Sequence, residues 1–119
     1  MRVKRGVKAR RRRNRIFKLA KGFRGRSKNT IRQATQRVEK GLCYAFRDRR
    51  AKKRDFRRLW VTRIGAGARA QDMSYSQFVH GLKEAGVELD RKILADLSAY
   101  EPEAFAVVAD IAKSGLAAN

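Results

Sequence analysis

Cysteine, proline and histidine each occur once in this chain of 119 residues, at Cys43, Pro102 and His80. A lone cysteine closes no intramolecular disulfide, which suits a reducing compartment. One histidine and one cysteine make no metal-binding cluster of recognised spacing. Acids are scarce in the first half: before Ile64 there are only Glu39, Asp48 and Asp55. Those farther on are spread over helix-start and solvent positions, which suits solubility better than the paired carboxylates of acid–base catalysis. No phosphate-binding P-loop pattern is present, and no run nears the roughly 18 apolar residues of a membrane span. The arginine-rich start lacks the apolar stretch of a secretory signal. It is similar to an organellar transit peptide, but the basic character continues to Arg63, which points to the cytoplasm. No stretch alternates with period two, so strands are not expected. These absences argue against an enzyme, a cofactor and a small-molecule substrate.

What is abundant is positive charge. The chain carries 31 Lys and Arg against 11 acids, a formal net charge of +20. That exceeds what solubility needs and describes partners rather than fold. Residues 1–63 hold 26 of the cations and three acids, a net of +23, whereas the remaining 56 residues hold five cations and eight acids, a net of −3. The protein is two physical objects joined end to end. The first needs a dense polyanion. Nucleic acid leads and an anionic membrane follows, but the stretch Arg47–Arg58 lacks the apolar face that membrane entry requires.

Met1–Ser27 combines like-charge runs with Gly6, Gly22 and Gly25, too little apolar surface to offset chain entropy, so alone in water it is expected to be largely disordered. A short helix over Lys8–Lys21 is expected once charge is neutralised, with Gly22 as its stop. Gly22-Phe-Arg-Gly25 has the outline of a KH-type loop, but without flanking strands it reads as a flexible turn. From Asn29 to about Ala70 no proline intervenes, and Ile31, Ala34, Val38, Leu42, Ala45 and Phe46 form an apolar stripe at helical spacing. The stripe resumes at Phe56, Leu59, Trp60 and Ile64. Between them the chain is basic all round. Like charges meet at i and i+4 in Arg49/Lys53, Arg50/Arg54, Lys53/Arg57 and Arg54/Arg58, each costing about 0.2–0.5 kcal/mol, with Asp48/Lys52 as a partial offset. Such a helix needs a negative partner that surrounds it.

Met73–Asn119 reads as a small helical domain. Ser74 with Gln77 forms a capping box, ahead of a core face of Tyr75, Phe78, Val79 and Leu82, and Gly86 ends that helix. Asp90 caps a second helix with Ile93, Leu94 and Leu97 inward. Glu101-Pro102 opens a third, its proline at the first helical position, with Phe105, Val108, Ala109 and Ala112 inward and Gly115 as its close. Three short helices make a thin core, so Leu59–Ala68 is expected to pack as a fourth element. Ala66, Gly67 and Ala68 either permit close helix approach or mark where the long helix ends. His80 and Cys43 read as ordinary helix residues.

Twenty-six cations in 63 residues exceed a merely solvated face, and arginine dominates, as suits forked phosphate contacts and stacking. No helix-turn-helix reading face is evident, so RNA is favoured over DNA by shape. Phe17, Phe23, Tyr44 and Trp60 lie among the cations, where each can stack on a splayed base, although core packing is the better reading for Trp60.

Lys21-Gly-Phe-Arg-Gly-Arg-Ser-Lys28, Tyr44-Ala-Phe-Arg-Asp-Arg-Arg50, Lys53-Arg-Asp-Phe-Arg-Arg-Leu-Trp60, Ser74-Tyr-Ser-Gln-Phe78, Gly81-Leu-Lys83 and Glu88-Leu-Asp-Arg-Lys-Ile-Leu-Ala-Asp96 occur in order. In these segments, and from Arg2-Val-Lys-Arg-Gly6 onward, the chain resembles the family of bacterial large-subunit ribosomal protein number twenty. The resemblance implies an all-α protein: a long basic N-terminal extension, residues 1–63 with a long helix from about 29 to 70, and a small globular helical domain, residues 64–119. It implies direct binding to 23S ribosomal RNA, an early role in subunit assembly, and contacts with ribosomal proteins thirteen and twenty-one. In some bacteria the family also represses its own operon through messenger RNA.

Charge and resemblance together nominate Arg10, Arg11, Arg12, Arg13, Arg15, Arg24, Arg26, Lys28, Arg47, Arg49, Arg50, Lys53, Arg54, Arg57 and Arg58 as RNA-binding. In the C-terminal part, Ser74, Ser76, Arg91 and Lys92 stand at helix starts, where backbone N–H groups attract phosphate. Three rivals remain distinguishable. A DNA-compacting protein would prefer duplex DNA, a processing enzyme would turn over RNA through an acid or His80, and a membrane-active peptide would need an amphipathic face.

Overall fold

The computed structural model describes residues 2–117, so the outermost residues of the two expected domains, Met1, Ala118 and Asn119, lie outside it. The described residues form five α-helices and no strand: α1 (Gly6–Leu19), α2 (Ile31–Ala70), α3 (Tyr75–Glu84), α4 (Arg91–Tyr100) and α5 (Pro102–Ala117), with a short 3-10 turn at Gly25–Lys28. The all-α expectation holds. The chain divides into two compact units, Met1–Ala51 and Lys52–Asn119, and α2 runs through the division.

In the first unit the helix expected over Lys8–Lys21 runs two residues earlier at each end. Its C-cap is Ala20, and Gly22 turns the chain at φ 87°, where a side chain would be strained. A small core closes this hairpin, with Ala20, Ala34 and Val38 buried and Ile16, Phe17 and Phe23 packed against them. The apolar stripe then outruns its partners. Leu42 and Phe46, expected on a core face, are each 56% exposed, and Ala45 is exposed too.

The second unit has a larger core. Ile64 and Ala68 of α2, Met73, Phe78 and Leu82 of α3, Leu94 and Ala95 of α4, and Phe105, Ala109 and Ala112 of α5 are buried together. Trp60 packs at its edge, so the end of α2 supplies the expected fourth element, although Leu59 itself is exposed. The Phe78 and Phe105 rings stack with centroids 5.1 Å apart. Burying each such ring contributes about 1.5–3 kcal/mol.

Local chemistry sets the helix ends. Ser74 accepts from the Gln77 N–H at 3.2 Å while Gln77 Oε1 accepts from the Ser74 N–H at 2.9 Å, so the capping box is present. Asp90 accepts from the Ile93 N–H at 2.8 Å, and Pro102 opens α5. At the end of α3, Val87 N–H donates to Leu82 O and Gly86 N–H to Lys83 O, the Schellman pattern, with Gly86 at φ 70°. The same pattern ends α2: Met73 N–H reaches Ala68 O, Asp72 N–H reaches Arg69 O, and Asp72 takes φ 58°.

The glycines of α2 therefore do not end it. Gly67 serves close approach, since a Cβ there would stand 2.8 Å from Phe105 Cε1 and collide with Ser98 Oγ. Gly115 does not close α5 either. It lies inside the helix, and a Cβ on it would strike the Gly81 carbonyl, just as one on Gly81 would strike the Ala112 carbonyl. Helices α3 and α5 touch backbone to backbone at this crossing. Ile93, expected inward, is 47% exposed. Leu94 is buried and Leu97 packs against the core as expected, and Ala95 takes the inward place expected of Ile93.

Candidate nucleic-acid interface

Four successive residues of an α-helix point to four quarters of the compass, so Arg10, Arg11, Arg12 and Arg13 ring α1 with positive charge, and all four are exposed. Arg15 is exposed on the following turn. Arg24, the N-cap of the 3-10 turn, and Arg26 and Lys28 within it are exposed as well. Along α2, Arg47, Arg49, Arg50, Lys53, Arg54, Arg57 and Arg58 all face solvent. The fold thus hides none of the nominated cations of the basic stretch.

Some of them have neighbours in the chain. Arg47 Nε donates to Asp48 Oδ1 at 2.7 Å. This hydrogen bond holds the Asp48 carboxyl below its ordinary range and raises the Arg47 guanidinium. Asp48 therefore answers Arg47, and not Lys52 as the i, i+4 spacing suggested. Arg58 comes within 3.9 Å of Asp55. Both pairs are exposed, where an ion pair contributes little. Arg50 lies 3.9 Å over the Phe46 ring and donates to the Phe46 carbonyl at 3.2 Å. Arg47 lies 4.8 Å and Lys40 5.2 Å from the Tyr44 ring centre.

The aromatic residues sort differently from expectation. Phe17 and Phe23 are occupied in the small core, while Trp60 packs against the large one as expected. Tyr44 remains exposed, and Phe46, which the sequence placed on a core stripe, joins it. Arg37 was missed too. With Phe23, Arg24 and Ser27 it lines a shallow depression of the first unit. No sequence signal gathers those four, because Arg37 follows ten or more residues after the others and only the hairpin brings them together.

At the second group of nominated residues, Ser74 and Ser76 are exposed, as is Lys92. Arg91 is half-buried and its Nε donates to the Tyr75 hydroxyl at 3.1 Å. Tyr75 opens α3 and Arg91 opens α4, so this bond draws two helix N-termini together. The Ser74 hydroxyl is engaged by its own helix. The N–H groups of Tyr75 and Ser76, in the first turn of α3, have no carbonyl within the helix to reach. Arg63, outside the nominated set, is structural: its carbonyl accepts from Ser98 Oγ at 2.9 Å and its guanidinium lies 3.9 Å from Asp96.

His80 Nδ1 lies 3.7 Å from Glu84 Oε1 on the exposed face of α3, a polar contact of the ordinary kind. Cys43 is exposed on α2. Among the described residues no helix is long and apolar enough to cross a membrane.

A chain with this layout of charge has close counterparts. The family model described as ribosomal protein L20 matches residues 2–108. The chain belongs to the ribosomal protein L20 family. The resemblance drawn from Lys21–Lys28, Tyr44–Arg50 and Glu88–Asp96 is thereby borne out over most of the sequence. Relatives of this L20-family chain include the large ribosomal subunit protein bL20 of Geobacter metallireducens, 58% identical over 113 residues, covering 95% of this chain and 97% of the relative. The protein of the same name from Syntrophotalea carbinolica is 59% identical over 115 residues, covering 97% and 98%. That of Pelobacter propionicus is 56% identical over 115 residues with the same coverage.

Proposed function

We propose that this L20-family chain is a structural component of the large ribosomal subunit that binds 23S ribosomal RNA directly and promotes early assembly of the subunit. What carries the reading is the exposed array of cations on α1, the 3-10 turn and α2, a net of +23 over residues 1–63. Residues 1–63 act as the RNA-binding extension and residues 64–119 as the docking domain. Each cation that meets a phosphate releases condensed counterions, and the entropy of that release drives association. A helix charged on every side is most stable when phosphates surround it, so the extension orders RNA helices about itself and bridges them. The Ser74, Ser76, Arg91 and Lys92 group, at paired helix N-termini, offers a phosphate site on the globular side.

The protein works in the cytoplasm, within the ribosome, and is no enzyme. Ribosomal proteins thirteen and twenty-one are its proposed neighbours. Phosphate recognition does not distinguish one RNA from another, so the same surface serves a second role in repressing its own operon through messenger RNA. The test is competition between large-subunit ribosomal RNA and duplex DNA for the full chain across a salt series. With 6–10 phosphate contacts, affinity for the ribosomal RNA falls about 10³- to 10⁵-fold between 50 and 200 mM salt. Preference for the ribosomal RNA at physiological salt is the expected result, and equal binding to both would sink the assignment.

A further inference from the structure

Ten aromatic residues are present, and most are spent on packing. Phe17 and Phe23 sit against the small core, and Trp60, Tyr75, Phe78 and Phe105 in or against the large one. Phe56, 44% exposed with Lys52 5.7 Å from its ring centre, leans on the Trp60 ring, centroids 6.2 Å apart. Tyr100, 75% exposed, lies in the acid-rich C-terminal part. Tyr44 and Phe46 differ. They are 46% and 56% exposed, and each carries a guanidinium over its ring, Arg47 at 4.8 Å and Arg50 at 3.9 Å. Two residues apart on a helix, they point about 160° away from one another.

We infer that Tyr44 and Phe46 are stacking platforms for unpaired nucleobases, one on each side of α2, so that this part of the helix is gripped between two RNA strands. The inference rests on the RNA-binding reading and deepens it. At Phe46 the Arg50 guanidinium leaves the opposite ring face and its own outer face to a base. At Tyr44, where Lys40 also lies 5.2 Å from the ring centre, the base stacks on the outer face of the Arg47 guanidinium. Arg49 and Lys53, exposed close by, attract the phosphates that deliver the strand. The charge around the rings selects the occupant, because a basic protein is repelled from this stretch and a polyanion is drawn to it.

Stacking has a signature that charge pairing lacks: it survives salt. The test compares the full chain with Tyr44→Leu and Phe46→Leu, using an oligoadenylate single strand and a blunt RNA duplex of equal charge. Leucine is a better helix former than either ring, and far-ultraviolet circular dichroism checks that α2 persists. Each substitution is expected to weaken single-strand binding about tenfold at every salt concentration, with the salt slope unchanged and duplex binding unaffected. Phe46→Trp restores the affinity, and the new indole is quenched when the oligoadenylate binds. Leucine variants that bind both RNAs like the parent overturn the platforms while the RNA-binding reading stands. This is also the result if the rings serve a protein neighbour. Equal losses on both RNAs overturn them as well, since a duplex has no free base to stack. A parent chain that binds neither RNA fails the underlying reading, and the inference with it.

Discussion

The two units of this chain are built from the same kind of helix and hold together by different means. The second gathers ten buried hydrophobic residues from its four helices and the turn at Met73, with two stacked phenylalanines at the centre. The first buries three, two of them alanines, beneath a shell of arginine. Helix α2 serves both, its apolar stripe interrupted only by the basic stretch between Phe46 and Phe56. Val38 and Ile64 are buried because helices pack on them, whereas Leu42 and Phe46, in the same stripe, stay in solvent. A periodic stripe states that a helix has a face. Whether the face is covered depends on what else the chain can bring to it, and here like charge keeps company away.

On the proposed reading the cations serve binding and the buried residues stability, and that contrast can be broken in either direction. The largest effect is expected from Arg10, Arg11, Arg12 and Arg13 changed together to glutamine. If all four meet phosphate, each contributes about 0.7–0.9 to the slope of log affinity against log salt. The quadruple variant then loses roughly a thousandfold or more in affinity for large-subunit RNA at 100 mM salt, about 4 kcal/mol. Its thermal midpoint, followed by Trp60 fluorescence, stays put. A shifted midpoint would mean the ring of charge also shapes the fold. Phe78→Ala is the mirror experiment. Removing a fully buried ring from the stack on Phe105 costs about 3–4 kcal/mol of unfolding free energy in urea, with the salt slope of RNA binding unaltered.

How much of this was legible beforehand follows the range of the interactions. The capping box at Ser74, the cap at Asp90, Pro102 at the head of α5 and Gly86 at the end of α3 are local arrangements of a few residues, and each stands where the sequence put it. The small core of α1 and α2 was not legible. Its apolar residues are few, and Ile16 and Phe17 meet Ala34 and Val38 only once a turn is made. Gly67 stayed open between two readings and Gly115 was wrongly read as a helix end, because a glycine that ends a helix and one that admits a neighbour look alike in sequence. Ile93 was misplaced because Leu94 and Leu97 leave room for either flanking residue on the inward face, and the small Ala95 takes it while Ile93 stays exposed. In the candidate interface the residue types were legible and their companions were not, as with Asp48 held by Arg47 and Phe46 left bare under Arg50.

Gly81→Ala gives the next effect in size. Its new methyl would strike the Ala112 carbonyl, backbone that cannot rotate aside, so α3 and α5 must part. Overpacking of this kind costs about 1–3 kcal/mol, and alanine returns about 1 kcal/mol through helix propensity. A net loss of up to about 2 kcal/mol lowers the midpoint by up to roughly 10 °C. The contrasting control is Gly41→Ala in the first unit, where a Cβ meets nothing within 4 Å. There the propensity gain should appear alone, as a slightly raised helix content. If both substitutions stabilise, the crossing at Gly81 and Gly115 is looser than the geometry says.

The smallest effect separates two roles that meet at one residue. Ser74 caps α3, and its neighbourhood is also the proposed phosphate site of the globular unit. Ser74→Ala removes the acceptor for the Gln77 N–H and should cost about 1 kcal/mol, or roughly 4–8 °C. That result alone says nothing about RNA. Ser74→Asp is the informative partner, because aspartate caps as well as serine and its charge suits a helix N-terminus, so stability is kept. The same carboxylate lies where a phosphate must approach the free N–H groups of Tyr75 and Ser76. It should therefore weaken binding to large-subunit RNA about tenfold, the weight of roughly one phosphate contact at 100 mM salt. If Ser74→Asp binds RNA as well as the parent chain, the N-terminus of α3 is only a well-capped helix start. Specificity would then have to come from elsewhere on the globular unit, with the Arg91–Tyr75 pair as the next place to look.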